Sequence, residues 1–262
     1  MKISPKIVVL SFFVLYMGTL YAQVSPKIEI QDIIYQVHEG NALVVPPDGY
    51  KKRLKLYSGK VYIPDSIYLN KEVYYVTDIT DAFRGCKYLK EVRLPRKLKF
   101  IIGEAFSSCI SLQTIEIPDE ISHIYERAFR LCKSLRSIKL PDGLQRIGSS
   151  AFEGCWNLRS IEIPRHVVTI EDGAFEGCTR LRSVILPQSV DSIGYFAFGG
   201  CKGLKEVYVY SPKPPVLTGD INSLPVFEGV KNDIPVHIPK GSKHLFQTAQ
   251  EWSLFTNYID DL

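Results

Sequence analysis

Methionine and tryptophan are scarce in this chain, two of each in 262 residues, and histidine occurs five times. His38, His123, His166, His237 and His244 show no His-Glu-x-x-His spacing and no nucleophile motif beside them, so each reads as a surface or turn residue. No Cys-x-x-Cys pair occurs, and no histidine lies at a ligand offset from a cysteine, which argues against a metal site. A large excess of one charge is also missing: 32 Lys plus Arg stand against 28 Asp plus Glu, a formal net of +4. Nucleic acid is therefore not an expected partner. Acidic pairs such as Asp119-Glu120 and Asp260-Asp261 read as solvated carboxylates at a turn and a terminus. These absences leave no candidate catalytic residue and no cofactor, and a non-enzymatic protein is expected.

Long apolar runs are few as well. One stands at the start, Ile7 to Leu20, behind Lys2 and Lys6 and ending at Tyr21-Ala22. It is short for a membrane span and reads as a secretory signal over residues 1–22, so export to the cell surface or the medium is expected, with no membrane span in the mature form. No cysteine precedes Cys86 to carry a lipid anchor near that cut. With 45% hydrophobic residues, the remainder can bury a large core.

What the chain does have is a repeat. Cys86, Cys109, Cys132, Cys155, Cys178 and Cys201 fall at a constant step of 23 residues. Ala-Phe precedes each, from Ala82-Phe83 to Ala197-Phe198, and Leu follows three places later, at Leu89, Leu112, Leu135, Leu158, Leu181 and Leu204. A β-branched residue comes three further on, from Val92 to Val207, and another apolar residue two beyond that, a period-2 step that marks a short strand. Pro95, Pro118, Pro141, Pro164 and Pro187 end that strand at one place, because proline has no N–H for a ladder. An apolar pair then leads back toward Ala-Phe, as at Leu144 and Ile147 or Val190 and Ile193, often followed by glycine, as at Gly148 and Gly194. Each unit is a strand, a turn and a compact return segment, and no single unit buries enough to fold alone.

The Ala-Phe-x-x-Cys-x-x-Leu-x-x-Ile-x-Leu-Pro frame resembles the BspA-like leucine-rich repeats of bacterial surface proteins. The resemblance extends to Val61-Tyr-Ile-Pro64 and Glu72-Val-Tyr-Tyr-Val76 upstream, where Ile79 sits one residue closer to Phe83 than the repeat requires. Downstream it takes in Pro214-Pro215, Pro235-Val-His-Ile-Pro239 and Trp252. The implied fold is an α/β-type leucine-rich-repeat solenoid with a parallel sheet on one face. The expected organisation is a signal at 1–22, an N-terminal cap at 23–60, the solenoid at 61–210 and a C-terminal cap at 211–262. Leu245, Ala249, Trp252 and Phe255 recur at helical spacing after Ser242, which predicts a closing amphipathic helix with Trp252 in the core. Stacked equivalent cysteines would keep their Cβ atoms about 4.8 Å apart, above the ~3.8 Å of a disulfide, so a buried ladder of thiols is expected.

With Leu89, Val92 and Leu94 inward, positions 90, 91 and 93 and their equivalents face solvent. The column at 93 runs Arg93, Glu116, Lys139, Glu162, Ile185, Tyr208 and largely compensates its own charge. The column at 90 runs Lys90, Gln113, Arg136, Arg159, Arg182, Lys205, five cations in six rungs, and reads either as a solvated basic stripe or as a strip for an acidic partner. Trp156, in a slot held elsewhere by Lys87, Ile110, Lys133, Thr179 and Lys202, and Tyr208 near the end of the array are further candidate contacts. About eight rungs make a stack near 38 Å long, wide enough for a standard interface of roughly 800 Å² per partner. The resemblance implies binding or adhesion to an extracellular protein. An acidic-glycan module and a self-associating surface component are the alternatives.

Overall fold

The computed structural model describes residues 27–48, 57–218 and 225–262, and the expected signal segment lies outside them. The chain enters through an antiparallel meander, β1 (Ile28–Ile30), β2 (Ile33–His38) and β3 (Asn41–Val44). Both turns hold two consecutive residues at positive φ, Gln31-Asp32 and Glu39-Gly40, the backbone a two-residue hairpin requires. Alternation assigns the faces: Ile33, Tyr35, Ala42 and Val44 join the main core, and Ile34, Leu43 and Val45 form a small cluster on the other side. β4 (Gly59–Tyr62) opens the repeat stack. β5 (Ser66–Leu69) and β6 (Glu72–Thr80) form a third hairpin, turned at Asn70-Lys71, and β6 also pairs in parallel with β3.

From there strands of two ladders alternate along the chain: β7 (Leu89–Arg93), β8 (Phe100–Ile102), β9 (Thr114–Ile115), β10 (His123–Ile124), β11 (Arg146–Ile147) and β12 (Ser160–Glu162). β13 (Thr169–Ile170), β14 (Ser183–Leu186), β15 (Ser192–Gly194), β16 (Glu206–Val209) and β17 (Val216–Thr218) complete the series. The main parallel ladder comes in two stretches, β4-β7-β9 and then β12-β14-β16, which continues into β18 (Pro235–Ile238) and β19 (Asn257–Asp260). At the coil between these stretches residues 137–139 form no strand, and a bridge from Glu116 to Lys139 with the backbone hydrogen bonds of Arg136 to Gln113 and Arg159 carries the ladder across. A second parallel ladder, β10-β11-β13-β15-β17, is built from the return segments. Pairs such as Val184–Val207 and Ile170–Ile193 are one repeat apart, so every inward residue lands on its own equivalent.

The stack is a β-solenoid, and the α/β expectation is corrected: among the described residues the one α-helix is α1 (Lys243–Thr248), six residues long. Hydrogen bonds between coils are the reason. In the return segments from Phe83 to Phe175 the Phe amide donates to the Ala carbonyl of the next coil, as from Phe129 to Ala151 at 2.8 Å, and Phe198 donates to Val226 in the same slot. The amide two residues on does the same, as from Gly154 to Glu176 at 2.7 Å. Amides spent between coils cannot close i to i−4 rings, and within the segment there remain three-residue turns, such as Cys155 N–H to the Phe152 carbonyl at 3.1 Å. The second donor's residue is always in the left-handed region, Gly154 at +68° and Gly177 at +67°, and also Ser108 at +62° and Leu131 at +58°.

Seven phenylalanines, Phe83, Phe106, Phe129, Phe152, Phe175, Phe198 and Phe227, run through the stack as parallel rings 5.2–5.5 Å apart. Tyr57 covers the first ring at 4.7 Å, and Trp252 and Phe255 cover the last at 5.4 and 5.2 Å. Val226–Pro239 is one more coil, with Val230 in the cysteine slot and β18 paired to β16.

The expected closing helix is also corrected. α1 stops at Thr248, the Ala249 backbone is extended (ψ 145°), and Glu251 takes positive φ before a short 3-10 turn, Trp252–Leu254. Ser242 makes no side-chain cap; its Oγ donates to the Pro239 carbonyl. The break lets Trp252 turn onto Phe227, fully buried, with its Nε1 donating to the Pro215 carbonyl at 3.1 Å. Leu245, which a continuous helix would have packed inward, is 38% exposed.

Candidate functional site

The main ladder aligns the column at 90 through its own backbone. Each amide donates to the carbonyl one coil back: Gln113 to Lys90 at 3.1 Å, Arg159 to Arg136 at 3.2 Å, Arg182 to Arg159 at 3.1 Å and Lys205 to Arg182 at 2.8 Å. Lys90, Arg136, Arg159, Arg182 and Lys205 are all exposed, and none makes an ion pair among the described residues. Cations of the return segments behave differently. Arg84 pairs with Glu104 at 2.8 Å, Arg130 with Glu153 at 2.7 Å, and Arg146 with Glu171. The Arg130 hydrogen bonds hold the Glu153 carboxyl below the usual range. Like charges about 5 Å apart repel by roughly 1 kcal/mol per pair in water, and the column carries that cost with no ion pair among the described residues, Glu91 pairing with Lys60 instead.

The other candidates lie apart from this column. Trp156 is 47% exposed, and the Lys133 ammonium one coil back sits 4.1 Å over its ring. Tyr208 is half-buried: its ring stacks on His237 at 4.3 Å, and its hydroxyl donates to Glu206 at 3.2 Å. His237 in turn meets Asp261 at 3.0 Å. Tyr208 is therefore tied into the closing coils and offers one edge, not a free ring. In the column at 93, Arg93 lies over the Tyr62 ring at 5.1 Å, and in the column at 91, Lys60 pairs with Glu91 at 2.7 Å.

A group of exposed tyrosines near the entry of the stack was not singled out from the sequence. Tyr62, Tyr68, Tyr75 and Tyr88 are 45–68% exposed, Tyr68 faces Val73 across the β5–β6 hairpin, and Lys97 lies 4.2 Å over Tyr75. The available signal was the density of tyrosine between 62 and 88, in a stretch where the repeat frame is irregular.

The thiols are placed as expected. None of the six cysteines forms a disulfide and all are buried. From Cys109 onward each Sγ–H donates to the Phe carbonyl of the coil before, at 3.0–3.3 Å. Burial pushes the Cys155 and Cys201 thiols up to about 12 and holds Cys132 and Cys178 well above the ordinary value, so these sulfurs are not nucleophiles. No helix among the described residues is long and apolar enough to cross a membrane.

The model of the BspA type leucine-rich repeat region matches in six copies over residues 64–181 and 145–213, more than half of the chain. Among solved structures, a leucine-rich repeat protein of T. pallidum, TpLRR, is 28% identical, with 70% of this chain and 85% of that one covered at a TM-score of 0.59. A leucine-rich repeat protein from Bacteroides ovatus shares the fold at 22% identity and a TM-score of 0.53, over 88% of this chain and 76% of that one. No curated protein matches the chain. Repeat frame, stacked coils and matched model agree: the chain belongs to the BspA-type leucine-rich repeat family.

Proposed function

We propose that this is a non-enzymatic, exported binding module that takes an extracellular protein across the solvent face of its main sheet. Lys90, Arg136, Arg159, Arg182 and Lys205 form the strip that meets an acidic surface on that partner, with Trp156 and the edge of Tyr208 as flanking contacts. In this reading residues 1–22 direct export, 61–210 carry the contact, and 23–60 and 211–262 close the ends of the stack.

The observation that carries the reading is the different treatment of cations on the two sides of the coil. Arg84, Arg130 and Arg146 of the return segments pair with glutamates of adjacent coils, whereas the guanidinium groups of the column at 90 stand in register with no ion pair among the described residues. Arginine presents a planar fork that binds carboxylates bidentately, and a row of them speeds encounter with an acidic surface.

The test is binding of the 23–262 protein to matrix proteins and, in a separate arm, acidic glycans, beside a variant with Arg136→Glu, Arg159→Glu and Arg182→Glu. The expected result is a protein ligand whose binding weakens with salt and is lost in the variant, both proteins melting alike. Binding that survives the reversal would sink the basic column and move the contact to Trp156 and Tyr208. A response confined to the glycans would replace the protein partner with a sulfated or carboxylated polysaccharide.

A further inference from the structure

We infer that a second site lies on the same face: a groove that binds a short, neutral oligosaccharide. It has a volume of 880 Å³ and runs over the ends of the strands in the coils of Ser137–Asp142, Ser160–Arg165 and Ile185–Gln188, with Tyr210 at one end. Small-molecule sites generally span about 300–1,000 Å³.

Its wall is open and mixed, with apolar surface at Ile185, Pro187 and Tyr210. Ile185 occupies a column whose preceding members are the charged Glu116, Lys139 and Glu162, and it is 39% exposed. Tyr210 occupies the slot that proline fills in the five coils before it. Its amide is therefore available and donates to the Leu186 carbonyl at 2.9 Å, which anchors the residue at the groove's end. The side chain is 49% exposed, and no ring among the described residues stacks on it.

The rim is polar and neutral in sum. Lys139, Arg165, Glu162 and Asp142 line it, two cations and two carboxylates, and none of the four is in an ion pair among the described residues. Gln188 and the hydroxyls of Ser137 and Ser160 add further donors and acceptors. The groove also lies where the main ladder is thinnest: residues 137–139 form no strand, and the coil is held by the Glu116–Lys139 bridge and the Arg136 backbone hydrogen bonds to Gln113 and Arg159.

A ligand for this surface needs one apolar face, hydroxyl groups that both donate and accept, and no net charge. A pyranose ring has these: its C–H face lies on an aromatic ring while its hydroxyls reach the rim. A peptide fits less well. β14 beneath the groove is paired on both sides, and the Arg159-to-Arg136 hydrogen bond at 3.2 Å closes the gap beside β12, so no strand can add there. A balanced rim also gives neither an acidic nor a basic peptide an electrostatic advantage. The groove borders the basic column at Ser137 and Ser160, next in sequence to Arg136 and Arg159, while its Lys139, Glu162 and Ile185 lie three residues along the strands from Arg136, Arg159 and Arg182, roughly 10 Å.

The experiment is calorimetric titration of the 23–262 protein with four probes, the tetrasaccharides of β1,4-linked glucose, α1,4-linked glucose, β1,4-linked N-acetylglucosamine and α-linked mannose, at low and high salt. At least one is expected to bind saturably and with little salt dependence. Tyr210→Ala and, separately, Gln188→Ala should each weaken it by about tenfold or more with melting unchanged, and Tyr210→Phe should retain it. The Arg136, Arg159, Arg182 reversal should leave this affinity as it is, which separates the groove from the protein-binding strip. No saturable binding of any probe, or binding that both alanine variants leave intact, overturns the inference.

Discussion

A Cβ placed on Gly194 would stand 2.3 Å from the Asp172 amide nitrogen and 2.6 Å from the Glu171 carbonyl carbon, backbone atoms that cannot swing aside. At Gly148 the same atom would stand 2.8 Å from the Ile124 carbonyl oxygen. Both glycines let one coil lie close on the coil before it. Gly194→Ala is therefore expected to destabilise by about 1–3 kcal/mol, the cost of overpacking a dense interior, read as a lower urea midpoint at unchanged slope. An unchanged midpoint would show that the coils can separate locally at no cost. Among the contact candidates, exposure of the basic column was legible because each member sits at one offset from an inward leucine. The stacking of Tyr208 on His237 was not, because it depends on a coil whose frame departs from the repeat.

At the scale of the element, the second ladder explains a titration. His123 in β10 lies opposite Arg146 in β11, and burial together with that guanidinium lowers its pKa, with Glu171 opposing. Ser122 Oγ meets its Nδ1 at 2.9 Å, and its ring lies 6.0 Å from that of Tyr125. A folded-state value below the unfolded one means that the penalty is absent above the ordinary histidine range, about 6.5, and grows as pH falls through it toward the lowered value. Between about pH 7.5 and about pH 5.5 the urea midpoint should fall in the parent, and less in His123→Gln. Equal slopes against pH in the two proteins would remove His123 as the cause. The return segment and α1 show why element types were harder to read than inward positions. Ala-Phe-x-x-Cys is compatible with a helical turn until the next coil claims its amides, and the helical spacing from Leu245 to Phe255 is interrupted where Trp252 turns to cover the stack.

At the scale of the whole molecule, the phenylalanine and cysteine ladders make one continuous core from Tyr57 to Trp252. Each coil depends on its neighbours, so interior thiols are reached when the stack opens, not one coil at a time. Alkylation of Cys109, Cys132, Cys155 and Cys178 at about pH 8 is expected to be negligible in native buffer and to rise together along the urea transition followed by circular dichroism. Rapid labelling of a central cysteine while the spectrum is still native would contradict that coupling.

Spacing along the chain sets the coil. A constant 23-residue step dictates that equivalent residues stack, and period 2 within the strand dictates which of them face inward, so the core, the thiol ladder and the solvent columns follow from spacing alone. Tertiary packing alone settles which cations are neutralised, where a groove forms over the strand ends, and how Trp252 closes the stack. Those outcomes depend on side chains from different coils meeting at particular distances: Arg130 finds Glu153, whereas Arg159 is in no ion pair among the described residues. A periodic pattern carries the position of each residue within its coil, but not the rotamer or the local pitch that settles whether neighbouring coils touch.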